Sequence, residues 1–303
     1  MKEPLWQLRD ASIAGRLEAI TLDIHPGITA VLGSSGAGKT TLLNLLVRFE
    51  RPERGNVIDH IARGKDYLPL FWVPQDDGLW QHLTVMEHLR IVGGSRIEWM
   101  DKLDLSDRAH ARPEELSQGE RSRLSVARAL AAEPLVLVMD EPLAHVSQND
   151  ADRYWEMIRE WLTTSNASLV FATHSPKAVL AEAERVLCLK EGRLLYYGSV
   201  DKLYWRPETR ELALCLGESN WFTSDEARIW LQRDGTEPFC LRPEQILLSK
   251  SNTGPWIVTK SQFKGSVTEV DLVYEATGVV RRFWYRATGN DLRFGDRVAI
   301  VLA

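Results

Sequence analysis

The residues Gly33-Ser34-Ser35-Gly36-Ala37-Gly38-Lys39-Thr40-Thr41 follow an apolar run and open a helical one. Glycines at 33, 36 and 38 let the main chain curl so that its N–H groups converge on one point. The helix that begins at Thr40 adds partial positive charge there. Lys39 brings a full charge, and the Thr40 hydroxyl is a hard oxygen suited to magnesium. The spacing is the complete G-x-x-x-x-G-K-T pattern of a phosphate cradle, in the strand-to-helix context that the pattern requires. The chemistry it predicts is a grip on a nucleoside triphosphate, with Lys39 on the β- and γ-phosphates.

A second constellation lies about a hundred residues on. The strand-like run Leu135-Val136-Leu137-Val138-Met139-Asp140 is followed at once by Glu141. A carboxylate at the end of a buried strand, beside such a cradle, can hold the hydration shell of magnesium. The carboxylate after it can orient or deprotonate an attacking water. Two adjacent acids alone are ordinary loop residues; the cradle upstream is what gives them a role.

These groups need a scaffold, and the chain spells one. Residues 27–33, 68–74, 134–142 and 167–175 contain apolar or β-branched runs that are continuous rather than alternating. That texture predicts strands buried on both faces, as in a parallel sheet. Helical patterns lie between them at 40–49, 118–132 and 150–163. An α/β chain with a central parallel sheet follows. Residues 185–198 read as a hairpin around Glu191-Gly192. Beyond that the texture becomes short strands, with turns at 251–255, 276–278 and 288–296. Alternation at Val298, Ile300 and Leu302 predicts one buried face. The expected division is residues 1–205, a linker at 206–235 and a small all-β domain at 236–303.

Composition narrows the classes. The 303 residues suffice for one large or two ordinary domains, and 44% hydrophobic with 26% charged residues is globular. A net charge of −5 argues against a non-specific nucleic-acid binder. Cys188, Cys215 and Cys240 are odd in number and far apart, so neither a disulfide framework nor a zinc site is expected. No apolar run reaches membrane-spanning length, and the N-terminus lacks a secretory apolar core. Trp155 and Trp161 sit at helical spacing and are expected to pack against other elements.

Taken in order, the motifs resemble those of the ATP-binding subunits of ABC transporters. Gln75 in "VPQDDGLWQHLTVMEHL" resembles the Q-loop glutamine. "LSQGE", Leu116 to Glu120, resembles the family signature. Asp140 and Glu141 end the Walker B strand, and His174 in "VFATHS" stands where the family has its switch histidine. A lone glutamine, histidine or "LSQGE" would carry no such meaning. Locally, Ser117-x-x-Glu120 also reads as a capping box, with Leu124, Ala127 and Leu130 as an apolar stripe and Arg121, Arg123 and Arg128 on the polar side.

The resemblance implies a P-loop ABC cassette with a parallel core, an antiparallel β subdomain and a short helical subdomain. It implies ATP and Mg2+ as ligands: residues 33–41 on the phosphates, and Thr40, Gln75 and Asp140 around the metal. Glu141 is implied as general base, with His174 and Gln75 supporting it. Ser117 and Gly119 would face the γ-phosphate bound to a second subunit, in a homodimer or heterodimer that sandwiches ATP.

Four places depart from the family pattern. Gln118 and Glu120 replace a glycine and a glutamine of the signature. Ala144-His145-Val146-Ser147 replaces Ser-Ala-Leu-Asp, so an aspartate has become Ser147. No aromatic residue in 11–20 matches the family's adenine-stacking side chain, and Trp6 looks misplaced for it. The segment between Gln75 and the signature is short.

The C-terminal stretch, strongest at Leu241-Arg242-Pro243-Glu244, resembles the OB-like TOBE barrel of bacterial import ATPases. That implies solute import with integral membrane permease subunits and, indirectly, a periplasmic or lipoprotein receptor. The expected place is cytoplasmic, peripheral on the inner membrane, without nucleic acid. Two alternatives are a non-transport ABC switch and a hydrolysis-impaired nucleotide-binding regulator.

Overall fold

The computed structural model describes residues 3–64, 68–94, 96–234, 237–287 and 292–302. They form two compact units, Met1–Val200 and Asp201–Ala303. The first runs β1 (Trp6–Ile13), β2 (Leu17–Ile24), β3 (Ile28–Leu32), α1 (Lys39–Leu46), β4 (Arg54–Asp59) and β5 (Leu68–Val73). It continues with α2 (Val85–Gly93), α3 (Glu98–Lys102), α4 (Gln118–Ala131), β6 (Pro134–Asp140) and α5 (Gln148–Ser165). It closes with β7 (Ser168–Thr173), α6 (Pro176–Glu182), β8 (Arg185–Lys190) and β9 (Arg193–Ser199).

Six strands make the main sheet, in the order β5-β6-β7-β3-β8-β9. All neighbours are parallel except β8 and β9, which form the hairpin expected from the sequence. Its turn uses left-handed backbone at Glu191 (φ 49°) and Gly192 (φ 77°), as a tight hairpin turn requires. Strand β7 is buried at every position and β6 at all but one. Both are covered on two faces, which is why their apolar runs are continuous.

Chain order places the functional loop. Strand β3 lies between β7 and β8, and α1, which leaves its carboxyl end, packs against β6 and β7. The carboxyl ends of β3, β6 and β7 therefore share one edge at a point where strand order reverses, the usual position of a ligand crevice in such sheets.

A three-stranded antiparallel sheet, β2-β1-β4, packs its alternate residues into the same core as α1. Trp6 is fully buried there, and its indole N–H donates to Leu46 O at 2.9 Å. It belongs to the core rather than to any ligand site. Helices α2, α3 and α4 pack together as the short helical subdomain. Trp155 and Trp161 are buried on α5 as expected, Trp155 tilted against Phe171 at 5.0 Å.

The second unit begins in α7 (Val200–Trp205), followed by α8 (Arg210–Cys215), β10 (Asn220–Phe222) and α9 (Ser224–Leu231). Strands β11 (Phe239–Leu241), β12 (Ile246–Lys250), β13 (Trp256–Phe263), β14 (Thr268–Tyr274), β15 (Val280–Tyr285) and β16 (Arg297–Leu302) follow. Five of them form an antiparallel sheet ordered β12-β16-β13-β14-β15. Its end strands β12 and β15 lie against each other, so the sheet curls on itself. The turn expected at 288–296 falls partly outside the described residues.

The stretch 206–235, read from the sequence as a linker, is folded over its described part. Phe222, Ala227 and Trp230 share one buried cluster with Val270, Phe283 and Val298 of the sheet. Arg242, from the Leu241-Arg242-Pro243-Glu244 motif, fastens this segment. It is fully buried and donates to the carbonyls of Tyr204, Ala213, Gly217 and Glu218. Its guanidinium lies 4.2 Å from the centre of the Tyr204 ring. Hydrogen bonds to four carbonyls offset the cost of burying that charge.

Candidate functional site

A cavity of about 760 Å3 opens where the β3–α1 loop meets the ends of β6 and β7. Residues 34–41 line it, with Gln75, Asp140, Glu141 and His174. The structure thus gathers these predicted residues around one space. Gly33 lies beneath it, where a Cβ would stand 2.7 Å from Leu189 O. Gly38 has φ 100°, and a Cβ there would meet Arg16 O at 2.8 Å, so only glycine fits the start of α1.

Lys39 is almost fully buried. Its Nζ donates to the carbonyls of Gly33 at 2.9 Å and Ser34 at 3.3 Å and lies 3.6 Å from Glu141 Oε1. The Thr40 hydroxyl donates to Asp140 Oδ2 at 2.6 Å. Burial, with the neighbouring Glu141 carboxylate, raises the Asp140 pKa, while the Thr40 hydrogen bond and Lys39 pull it back. A buried acid so placed gains from a cation. Its side chain and the Thr40 hydroxyl supply adjacent hard oxygen donors, the set magnesium prefers, so the residues fit that ion.

Glu141 carries left-handed backbone, φ 49°, at the turn out of β6. Its N–H still donates to Ala172 O at 3.0 Å. The strained backbone leaves its carboxylate 3.0 Å from His174 Nδ1. An acid, a histidine and a lysine thus meet at one end of the cavity.

Gln75 follows β5 in a loop that α4 and α2 hold from below. Ser125 Oγ donates to Asp77 O at 2.8 Å, and Arg128 Nη1 to Gly78 O at 2.9 Å. The Arg128 guanidinium also lies 4.4 Å from the centre of the Trp80 ring, whose other partner is the His88 ring, stacked at 5.5 Å. The Trp80 main-chain N–H donates to His88 Nε2 at 2.9 Å, while His88 Nδ1 donates to Thr84 O at 2.7 Å. His88 therefore carries its hydrogen on Nδ1, and burial lowers its pKa.

Arg128 corrects the sequence reading, which put it with Arg121 and Arg123 on the polar side of the helix. It is 6% exposed, and burial pushes its pKa down to about 10. It stands one turn after Leu124 on the buried side of α4. That spacing was the signal.

Ser117 and Gly119 are not among the residues that line the cavity. Ser117 caps α4: its Oγ accepts the Glu120 N–H at 3.2 Å, and Glu120 Oε2 accepts the Ser117 N–H at 2.7 Å. Glu120 also takes a hydrogen bond from Arg108 Nε at 2.9 Å. A Cβ at Gly119 would stand 2.9 Å from His145 O. Ser147, at the other departure, caps α5 by accepting the Asp150 N–H and donates its hydroxyl to Asp150 Oδ2 at 2.7 Å.

Sequence reading missed Gly15, Arg16, Asp77 and His145, which also line the cavity. Nothing in their local spacing announces them, because long-range folding brings them there. Among the described residues no cluster of His, Cys, Asp and Glu could hold a metal by itself, and no helix is long and apolar enough to cross a membrane.

Residues 17–144 match the family model described as ABC transporter. A curated relative, the Fe(3+) ions import ATP-binding protein FbpC of Serratia marcescens, is 32% identical over 295 residues, covering 86% of each chain. The FbpC 2 protein of Haemophilus influenzae is 29% identical over 331 residues, covering 94% of this chain and 90% of its own. Among solved structures, an ATP-binding subunit of an ABC transporter superposes with TM-score 0.58 at 22% identity, over 70% of this chain and 94% of that one. A bacterial ABC transporter cassette solved as a dimer gives TM-score 0.56 at 21% identity, over 64% and 98%. At these identities the solved structures speak to the fold alone.

Proposed function

This chain belongs to the ATP-binding subunits of ABC transporters, and we propose that its ATP hydrolysis drives solute import, with Glu141 as the general base. The observation that carries the assignment is the meeting of Lys39, Asp140, Glu141 and His174 around the cavity lined by the phosphate loop.

The loop N–H groups and the start of α1 bind the β- and γ-phosphates, and Lys39 turns from its loop carbonyls toward them. Thr40, Asp140 and Gln75 would hold Mg2+, which when bound would supply positive charge to the phosphate oxygens. Glu141 takes the proton of the attacking water, and His174, bonded to that carboxylate, keeps it oriented. Catalysis is positioning and electrostatic stabilisation of charge spread over the γ-phosphate. The left-handed backbone at Glu141 serves this aim.

Ser117 and Gly119 lie outside the cavity of their own chain. This supports a site completed by a second ATP-binding subunit, whose Ser117 and Gly119 would cover the γ-phosphate. The pair would couple to integral membrane permease subunits on the cytoplasmic face of the inner membrane, fed by a solute receptor. The names of the FbpC relatives, Fe(3+) ions import ATP-binding proteins, support ferric iron as the solute. The curled β unit supports a TOBE-like role for the C-terminal region, which includes the folded stretch before the sheet.

Replacing the general base tests this reading. Glu141→Gln should keep ATP binding, cut phosphate release by roughly a hundredfold or more, and accumulate an ATP-bound dimer on a sizing column. Turnover equal to wild type would remove Glu141 from the mechanism.

A further inference from the structure

The cavity has a feature that its phosphate chemistry does not use. Among the described residues no Phe, Tyr or Trp lines it. A bound nucleotide nevertheless carries a flat base, and such a face gains affinity by stacking on a planar group. We infer that Arg16 is that partner, and that the chain holds the nucleobase on a guanidinium plane. The inference rests on the proposed nucleotide-binding reading and deepens it.

Three observations converge on Arg16. The first is position. The turn between β1 and β2 brings Gly15 and Arg16 to the cavity wall, with Arg16 O beside Gly38 at the start of α1. The Lys39, Glu141 and His174 cluster fixes where the last phosphate sits, and Thr41 continues the lining one residue into α1. A nucleotide that starts at that cluster and runs past Gly38 comes to the β1–β2 turn with its base.

The second observation is orientation. Arg16 Nη1 and Nη2 donate to Glu50 Oε1 and Oε2 at 3.1 and 2.5 Å, a two-pronged fork. Glu50 in turn accepts from Asn44 Nδ2 at 2.9 Å, and Asn44 lies in α1. The guanidinium is thereby tied to the helix that carries the phosphate loop. An in-plane fork occupies the edge of the guanidinium rather than its faces, and such faces stack on aromatic rings. The side chain is half exposed, as a platform must be.

The third observation concerns charge. Glu50 is held anionic by the Arg16 hydrogen bond and by Asn44. The pair is close to neutral, so Arg16 is not built as another phosphate grip. A platform reads the π-face of a base and not its edge. It predicts weak discrimination between ATP and GTP.

The test is equilibrium binding of ATP, GTP and inorganic tripolyphosphate, measured by calorimetry. Wild type is the reference, and each Arg16 variant is measured with Glu50 and with E50Q so that an unpaired carboxylate is accounted for. E50Q alone, which breaks the fork, should weaken ATP and GTP but not tripolyphosphate. R16A should weaken ATP and GTP binding by roughly threefold to thirtyfold, the scale of a cation on an aromatic face, and leave tripolyphosphate unchanged. R16K should weaken the nucleotides as R16A does, because it keeps charge without the plane. R16Y should restore them.

Unchanged ATP affinity in R16A, full affinity in R16K, or an equal loss for tripolyphosphate each overturns the platform. A reference protein that binds tripolyphosphate no less tightly than ATP overturns the platform alone. One that binds none of the three overturns the cradle reading as well.

Discussion

Helices α1 and α4 both begin with a glycine or serine next to an exposed loop, and both starts were expected to face phosphate. Their ends are built in opposite ways. At α1 the capping position is Gly38, with no side-chain hydrogen bond and no acid in the first turn. Its N–H groups are left for a ligand, and a lysine stands beside them. At α4 the cap is Ser117, closed into a capping box with Glu120, whose carboxylate sits in the first turn. That helix brings its own anion.

The contrast gives a physical meaning to one departure from the family pattern, Glu120. A helix start carries partial positive charge, and an acid within the first turn satisfies it. Glu120 does so at α4, held by Ser117 and by Arg108. The α1 start has no such internal partner, which is what an enzyme needs where the ligand's charge must be met. The two helix starts therefore differ in what they offer an incoming phosphate, and only that of α1 lies in the cavity of its own chain.

The largest effect should come from the open end. Lys39→Ala should weaken ATP binding by roughly tenfold to a hundredfold, the worth of about 1.5–3 kcal/mol for hydrogen bonds to a charged group. Calorimetric titration with ATP reads it. An affinity equal to wild type would mean that α1 is no more an anion site than α4, and the comparison would break.

The second effect belongs to the closed end and should appear in stability instead. Ser117→Ala removes the cap acceptor for the Glu120 N–H and should cost about 1 kcal/mol. Urea unfolding followed through the first unit measures it. Because Ser117 is outside the cavity, ATP affinity of the isolated chain should not move; a tenfold loss there would place Ser117 in its own chain's site.

How much of this was readable beforehand differs between the same two places. The glycine spacing and Lys39 announced the cradle, because each residue acts through local backbone and nearest neighbours. The continuous apolar runs announced β3, β6 and β7 for a similar reason: burial on both faces writes itself into every position. The capping box at Ser117 was equally visible. Its consequence, a helix start supplied with its own carboxylate and tied to Arg108, depends on a partner twelve residues away.

Other features were legible but overlooked. Thr223 and Glu226 spell a capping box inside the stretch taken for a linker, and Ala227 and Trp230 are spaced for one buried helix face. Arg128, one turn from Leu124, stands on the buried side of α4 despite its charge. Its use, under the Gly78 carbonyl and the Trp80 ring, needs a loop fifty residues away. The Arg16–Glu50 fork had no signal at all. Its members are separated by 34 positions, and only the packing of the β1–β2 hairpin beside α1 brings them together.

The smallest effect tests charge at the closed end alone. Glutamine at position 120 can keep the capping box, since either Glu or Gln serves at that place, while the negative charge is lost. The Glu120 pKa is lowered below its ordinary value of 4.5, first by the Ser117 N–H; burial opposes this next, and the Ser117 hydroxyl and Arg108 lower it further. A carboxyl group whose folded pKa is depressed contributes stability above its unfolded value. That contribution is lost as pH falls through the folded value. Wild type should therefore be slightly more stable than Glu120→Gln at neutral pH, and the gap should close on acidification below about pH 4.5. Thermal melts across a pH series follow the gap. With the carboxylate gone, the α4 start regains a free positive end, so ATP-dependent self-association on a sizing column should strengthen while ATP affinity of the single chain stays the same. A gap that does not change with pH would show that Glu120 serves α4 by shape rather than by charge, and the two helix starts would then differ only in their neighbours.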